Sequence, residues 1–423
     1  MKPVARFLLL GGITFSITCT DSQLSVTARD QACFDKPGQL ASRPPTNPVG
    51  LACVIAVPGN PILSGTKSWV DPATLRFYET DPSNASMDII DVKADTFVGR
   101  VTGFIGATGV AATSGPNSVV FSGDGHAWVS DGNSAVRVVD LASLQIIATV
   151  STAVAACDGG TATTHYCQRT NEITYDPEDN IIFVQNPSPL SVTAPHGAID
   201  PYATFISAAS PYSVLGTVSF AGAGGQEAPL WDPQMHRLLS AVSGTLNAQG
   251  TAVVTQQYVA VINPKTMTIE NKYFLDCQVL TGTVALGIND PSLGPNQNVV
   301  IPACGKAVVF NAQTGAIVTV VTQVGGGNET WYNGGDSRFY TLGTDINGAT
   351  SLGVIDAQTG SFLQNVPATG ATNPTADSTS NQIFAVVQVN AAIVASPTTD
   401  NTACSIFGVT GKGCIAVFAH TVQ

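Results

Sequence analysis

The segment 68–99, SWVDPATLRFYETDPSNASMDIIDVKADTFVG, contains the pattern that decides the fold. Short runs of apolar and β-branched residues alternate with turns, and Asp71-Pro72 forms the first of these turns. An Asp at the end of a strand opens a turn, because its side chain accepts hydrogen bonds from nearby backbone N–H groups. Asp91 ends a later run in the same way. The segment therefore predicts four short antiparallel strands joined by tight turns.

Seven units of this kind follow one another, beginning near residues 68, 117, 171, 227, 284, 329 and 374. The third strand recurs as Val136-Arg137-Val138-Val139-Asp140, Val259-Ala260-Val261-Ile262-Asn263 and Leu352-Gly353-Val354-Ile355-Asp356. The turn after the first strand recurs as Tyr175-Asp176-Pro177, Trp231-Asp232-Pro233, Ile288-Asn289-Asp290 and Tyr332-Asn333-Gly334. A period of about 45–57 residues is typical of four-stranded propeller blades. The predicted fold is all-β: a seven-bladed β-propeller of four-stranded antiparallel blades.

The N-terminal part of the chain is predicted to close the ring. The last unit ends on its third strand, Cys414–Phe418, and the segment Leu51–Val57 is a strand without a blade. Antiparallel pairing of these two segments would complete the seventh blade and cover an open sheet edge. The predicted organisation is a signal peptide over 1–19, a disulfide-tied lead-in with the closing strand over 20–60, and the propeller over 61–423.

The first residues have the pattern of an export signal. Lys2 and Arg6 precede an apolar run from Phe7 to Ile17, as in the charged and apolar regions of a signal peptide. The run is too short to cross a bilayer, which needs about 20 residues. We therefore expect a secreted or periplasmic protein with no membrane span, and a lipid anchor on Cys19 is the lesser alternative.

The cysteines fit an oxidising compartment. Apart from Cys19, eight remain, and they form four local couples: Cys33/Cys53, Cys157/Cys167, Cys277/Cys304 and Cys404/Cys414. None has the spacing of a zinc site. Because cysteines in exported proteins form disulfides, each couple is predicted to be bonded.

Composition excludes one class of partner. Only 11% of the residues are charged, the formal net charge is −12, and the 17 Lys and Arg residues form no cluster. Binding to nucleic acid needs clustered cations that replace phosphate counterions. We expect no nucleic-acid partner, a small-molecule ligand or substrate, and a monomer.

The candidate site lies where the inner strands begin, at what we call the upper end of the central channel. Glu172, Glu227 and Glu329 directly precede or open these strands in three units, Asn117 and Asn373 stand at the same place in two others, and Lys67 does so in the first. All inner strands begin on one rim, so these side chains should converge. Crowded carboxylates cost free energy unless a cation or a shared proton offsets them. A divalent cation, Ca²⁺ first, is the predicted offset; shared protons and a plain polar lining are the alternatives.

Trp69, Trp231 and Trp331 also occupy the inner strands. Large aromatic side chains bury much apolar area, and packing between blades is their predicted role.

The V-x-V-I-D strands, the opening Trp69-Val70-Asp71-Pro72 and the turn Gly115-Pro116-Asn117 resemble those of the secreted, YVTN-type, lactonase-like seven-bladed propellers. The resemblance covers nearly the whole chain after residue 60. It implies a cation bound at the channel by Glu, Asn and Asp side chains, with a Glu in place of the Asp as the third carboxylate of this sequence, and a hydrolase or lyase acting on a small polar molecule. Lys67 or His196 would then assist proton transfer. The alternatives are a propeller that binds a ligand or a protein without catalysis, and a structural envelope protein.

Overall fold

The computed structural model describes residues 44–154, 169–187, 200–284 and 286–421. Seven antiparallel sheets of at least four strands each account for nearly all of the strands. The prediction of an all-β, seven-bladed propeller with four-stranded antiparallel blades is confirmed.

The strands are numbered in chain order and each blade is given from the channel outward. Blade 1 contains β2 (Ser68–Asp71), β3 (Arg76–Asp81), β4 (Ser86–Asp91) and β5 (Thr96–Thr102). Blade 2 contains β6 (Ser118–Phe121), β7 (His126–Asp131), β8 (Ala135–Asp140) and β9 (Gln145–Ser151). Blade 3 contains β10 (Ile173–Asp176), β11 (Ile181–Asn186), β12 (Tyr202–Ser207) and β13 (Val214–Ser219). Blade 4 contains β14 (Gly225–Asp232), β15 (Arg237–Ser243), β18 (Tyr258–Asn263) and β19 (Thr268–Phe274).

The remaining blades follow the same order. Blade 5 contains β20 (Ser292–Leu293), β21 (Asn298–Ala303), β22 (Lys306–Asn311) and β23 (Ile317–Val321). Blade 6 contains β25 (Thr330–Asn333), β26 (Arg338–Asp345), β27 (Thr350–Asp356) and β28 (Phe362–Pro367), with β24 (Val324–Gly325) paired to β26. Blade 7 contains β29 (Ala371–Asp377), β30 (Gln382–Val387), β31 (Cys414–His420) and β1 (Val49–Ile55).

Short secondary-structure elements lie in the loops between the blade strands. The strands β16 (Thr245–Leu246) and β17 (Val253–Thr255) form a hairpin, and the described residues include the short helices α1 (Cys277–Thr281) and α2 (Ala391–Ala395). Single 3₁₀ turns cover Pro82–Asn84, Ala111–Thr113, Pro295–Gln297, Pro397–Thr399 and Ser405–Phe407. No helix among the described residues is long and apolar enough to cross a membrane.

The inner strands surround one channel. Each contacts the inner strand of the next blade, from β2 through β6, β10, β14, β20, β25 and β29 back to β2. Middle strands are covered on both faces by neighbouring blades, so that every residue of β11 is buried. An outer strand such as β9 shows alternating exposure, because only one of its faces meets the next blade.

The seventh blade combines both ends of the described chain. β1 pairs antiparallel with β31, with Leu51 opposite Phe418 and Ile55 opposite Ile415. The sheet order is β1-β31-β30-β29, so β1 is the outermost strand of the blade. All seven residues of β31 are buried.

Two of the predicted disulfides join described residues. Cys277 is bonded to Cys304, and Cys404 is bonded to Cys414. Cys53 is also disulfide-bonded. The predicted partner Cys33, the couple Cys157/Cys167, Cys19 and the whole predicted signal peptide lie outside the described residues.

Candidate functional site

One residue per blade stands where the inner strand enters the channel, and we call these seven residues the entry ring: Lys67, Asn117, Glu172, Glu227, Asp290, Glu329 and Asn373. Neighbouring members are joined through the backbone. The Lys67 N–H donates to the carbonyl of Asn117, and Asp290 forms a parallel bridge with Glu329. In blades 4 and 7 the strand starts earlier, and a register shift beside Glu227 and Asn373 compensates. The ring therefore brings six sequence-predicted site residues to one level of the channel.

The ammonium of Lys67 lies among three carboxylates from three other blades. Its Nζ is 3.2 Å from Oδ2 of Asp290, 3.4 Å from Oε2 of Glu172 and 3.6 Å from Oε1 of Glu329. All four residues are less than one-tenth exposed. Glu172 and Glu329 therefore both lie beside the ammonium of Lys67.

Asp290 is the ring member that the sequence analysis missed. Its assignment to a turn after the inner strand is wrong, because Asp290 precedes β20. Its Oδ1 accepts a hydrogen bond of 2.7 Å from the N–H of Ala228, and its Oδ2 accepts one from Lys67. β20 has only two residues, too few for a recognisable strand pattern, whereas the apolar residues before Asp290 have the sequence pattern of an inner strand. Counting one polar entry residue for each blade would have found it.

Burial dominates the electrostatics of the acidic members. It raises the pKa of Glu172 from 4.5 to about 7, although the ammonium of Lys67 acts in the opposite direction. It also holds the pKa of Glu329 well above the usual value. Removing a carboxylate from water disfavours the charged form, and in both cases this effect exceeds the attraction of Lys67.

Glu227 belongs to the same electrostatic group without an ion pair to Lys67. Burial, followed by the nearby Asp290 and Glu172 carboxylates, raises the pKa of Glu227 from 4.5 to about 8. Arg169 is the second cation of the region, and its guanidinium acts on both Glu172 and Glu227. Two of the ring carboxyls therefore exchange protons near neutral pH.

Lys67 remains positively charged. Burial by itself lowers the pKa of Lys67, but Asp290, Glu172 and Glu329 together raise it above the ordinary value. An amine in this state provides a fixed positive charge and is neither a base nor a nucleophile at neutral pH. This limits its predicted role in proton transfer to stabilising negative charge.

The two asparagines connect the ring to the following blade. Nδ2 of Asn117 donates to the carbonyl of Thr170 over 2.9 Å, and Nδ2 of Asn373 donates to that of Thr66 over 2.6 Å. Oδ1 of Asn117 is buried without a hydrogen-bond partner. Both amides therefore hold the links that lead into blades 3 and 1.

The predicted Ca²⁺ does not fit this arrangement. The positive charge among Glu172, Asp290 and Glu329 belongs to Lys67, and its nitrogen already contacts one oxygen of each carboxylate. Within the described ranges, no group of three or more His, Cys, Asp or Glu residues has the geometry to hold a metal ion. A divalent cation stays a prediction from the sequence, and no chemical step below depends on it.

A cavity of about 390 Å³ extends along the inner strands below the ring. Lys67 and Glu329 lie at its upper end. Six aromatic side chains from five blades contribute to its wall: Trp69, Phe121, Tyr175, Trp231, Trp331 and Tyr332. The channel is therefore apolar along its length and charged at its upper end.

The tryptophans have a wider role than predicted. Trp69, Trp231 and Trp331 are only half-buried: they pack against the apolar core on one side and line the channel on the other. The rings of Trp69 and Trp331 meet edge to face, with their centroids 4.8 Å apart. Inner strands have one face toward the channel, so a large side chain on these strands contributes both to the apolar core and to the channel wall.

Three residues on the channel wall have buried polar atoms without a hydrogen bond to any described residue. They are Glu329, through both carboxyl oxygens, Trp231, through Nε1, and Thr330, through Oγ1; Oε1 of Glu329 keeps only the 3.6 Å ion pair with Lys67. Buried polar groups are usually satisfied by protein, water or ligand. These residues are therefore the first candidates for contact with a bound molecule.

His196, the other predicted catalytic residue, lies outside the described residues and stays a prediction. No protein-family model matches this chain, and no curated protein sequence is significantly similar to it.

Proposed function

We propose that the protein binds a small organic molecule in its central channel, with the entry ring at the upper end of the site. The cavity of about 390 Å³ between aromatic side chains and the Lys67–Glu329 pair is the observation that carries the proposal. Small-molecule sites are typically concave, of about 300–1,000 Å³, and mostly apolar with a few convergent polar groups. This channel has that size and that distribution of polarity.

A second candidate is acid–base catalysis in the same channel, as in the lactonase-like hydrolases or lyases that the sequence motifs resemble. It is favoured by pKa values of about 7 for Glu172 and about 8 for Glu227. General acids and bases work best when their pKa lies near the operating pH. In lactone hydrolysis, an ionised ring carboxylate would take a proton from the attacking water, and a protonated one would give a proton to the leaving oxygen. Lys67 would stabilise negative charge on the carbonyl oxygen.

The proposed location is outside the cytoplasm, in a secreted or periplasmic form. The bonds Cys277–Cys304 and Cys404–Cys414 support it, because disulfides persist mainly in oxidising compartments.

Elemental analysis of the purified protein tests the remaining expectation of a divalent cation. About one tightly held ion per chain would support the cation, and a metal-free protein that is active or binds ligand would rule it out.

Thermal-shift screening of a small-molecule library tests binding in the channel. A ligand at about 100 times its Kd stabilises the folded state by about 2.7 kcal/mol, which raises the melting temperature. Leu230 lines the cavity, so the larger side chain of Leu230→Trp should obstruct the binding space and weaken or abolish the shift. The matched control is Leu246→Trp in the β16–β17 hairpin, where Leu246 is exposed.

Hits that stabilise wild type and Leu246→Trp but not Leu230→Trp are the expected result. Equal shifts in both variants would place the ligand elsewhere, and a library without hits would count against the channel as a binding site. Hydrolysis of a lactone panel, lost in Glu172→Gln while hits still bind, would add catalysis to the function.

A further inference from the structure

The channel has the features of a site for one chemical class of ligand. We infer that it binds an organic cation, with an ammonium group at the entry ring and a flat apolar or aromatic body between the aromatic side chains. The inference rests on the proposed function, since it names the ligand of that same channel.

The charges of the ring favour a cation over an anion. Four of its seven members are acidic, and the cations that act on them are Lys67 within the ring and Arg169 beside it, so the formal charge of the group is negative. Lys67 has three carboxylates within 3.6 Å, which match the three N–H donors of its ammonium. An anionic ligand would have to displace one of these contacts and would meet the other carboxylates at close range.

Glu329 offers what a ligand ammonium needs. It is 1% exposed and lines the cavity; its Oε1 lies 3.6 Å from the ammonium of Lys67, beyond hydrogen-bond distance, and its Oε2 has no hydrogen-bond partner among the described residues. Hydrogen bonds between an ammonium and a carboxylate are about twice as strong as those between neutral groups. A ligand ammonium at this point would provide the missing donors.

The channel wall favours the same class. Ammonium groups are attracted to aromatic faces, most strongly to that of tryptophan. Trp69, Trp231 and Trp331 come from three different blades, so a ligand can meet several aromatic surfaces. The unpartnered Nε1 of Trp231 adds a donor, which suits a hydroxyl or ether oxygen on the ligand body.

The test is a titration with three probes of similar shape and different charge: 2-phenylethylamine, 2-phenylethanol and phenylacetate. Quenching of tryptophan fluorescence reports channel occupancy, because three tryptophans line the cavity while Trp128 is fully buried in the core. We expect the amine to bind at least about tenfold more tightly than the alcohol, a difference of about 1.4 kcal/mol, and the carboxylate to bind most weakly.

Variants locate the charge preference. Glu329→Gln should weaken binding of the amine about tenfold and leave the alcohol within about twofold, because it removes a charge and keeps the shape. Glu270→Gln, on the outer strand β19, is the control, and it should change neither the affinity for the amine nor the affinity for the alcohol. The charge series in the wild-type chain decides the inference even where Glu329→Gln does not fold.

The possible failures are distinguishable. If the alcohol or the carboxylate binds as tightly as the amine, the inferred preference for a cationic ligand is wrong, while the proposal of ligand binding in the channel is retained. If no probe of any charge changes the fluorescence, both the inferred binding of an organic cation and the proposed ligand binding in the channel are wrong.

Discussion

Lys67 is the residue on which the entry ring depends, because it is the positive charge among three buried carboxylates. Removing one partner from a buried ion cluster leaves uncompensated charge and typically costs about 3–5 kcal/mol. Lys67→Met should therefore lower the free energy of unfolding by about 3 kcal/mol near pH 8. The loss should shrink as the pH falls, since Glu172 and Glu329 then take up protons. Chemical denaturation at several pH values measures both effects.

Lys265→Met is the matched control, because the Lys265 side chain is 71% exposed and pairs with Asp179 at the surface. Surface ion pairs contribute about 0–1 kcal/mol, so this variant should behave nearly as wild type. If Lys67→Met were as stable as wild type at every pH, the Lys67 ammonium would not lie among the carboxylates.

The ring also makes stability depend on pH. The pKa of Glu172 rises from 4.5 to about 7 on folding, so the folded state holds this proton more tightly than the unfolded state. The resulting stabilisation is fully present below pH 4.5 and is lost as the pH rises to about 7. For Glu172 the loss is on the order of 3 kcal/mol. Unfolding of wild type in urea should therefore need less denaturant near pH 8 than near pH 5.

Glu172→Gln isolates that contribution, because glutamine has nearly the same shape and stays uncharged at both pH values. Its stability should fall less than that of wild type between about pH 5 and pH 8. Glu270→Gln should follow wild type, since Arg237 and Asn263 hold the pKa of the exposed Glu270 below its usual value and it stays ionised throughout. A Glu172→Gln variant with the full wild-type dependence would contradict the account of this carboxyl.

At the scale of elements, β1 determines whether the seventh blade has an open edge. Among the described residues it is the partner of β31 on the outer side of that blade, and every residue of β31 is buried. Deleting the chain up to residue 60 should expose an apolar strand edge and cause aggregation, measured by light scattering. A chain that starts at Pro44 and carries Cys53→Ser keeps β1 and should stay monodisperse. A monodisperse, fully stable protein after the longer deletion would show that β1 is dispensable.

How far the sequence predicts an element depends on the length of its pattern. The third strands, such as Val136 to Asp140, were recognisable because five residues repeat one apolar motif before a turn-forming Asp. The structure places the end of β8 at Asp140, whose Oδ1 accepts a hydrogen bond from the N–H of Ser143. β20, with two residues, has no such pattern, and its entry residue Asp290 was therefore missed.

The candidate site was predictable in position but less so in chemistry. Glu172 and Glu329 were placed together by topology alone, since inner strands start on one rim. That the charge beside them comes from Lys67 depends on the course of a long, flexible side chain across the channel, which spacing in the sequence does not determine. The double role of Trp69 and Trp331 likewise depends on how far seven inner strands stand apart.

At the scale of the whole molecule, the site exists only in the closed ring. Lys67 in blade 1 meets Glu172 of blade 3, Asp290 of blade 5 and Glu329 of blade 6. The cavity wall likewise combines side chains from several blades. No single blade, or pair of neighbouring blades, could supply this combination of an aromatic wall and a charged upper end.

The central claim is that a small cation can travel through this channel to the entry ring. Thr330 lines the cavity next to Glu329, so Thr330→Cys places a thiol there. The decisive measurement is its rate of modification, in the folded protein and above the wild-type background, by trimethylammonium-ethyl and by sulfonatoethyl methanethiosulfonate. We predict modification by both, with a cation-over-anion rate ratio at least about tenfold larger than the ratio at the exposed Leu246→Cys, because the carboxylates attract cations into the channel. A Thr330→Cys thiol that reacts only after unfolding, or whose ratio does not exceed that of Leu246→Cys, would contradict the claim.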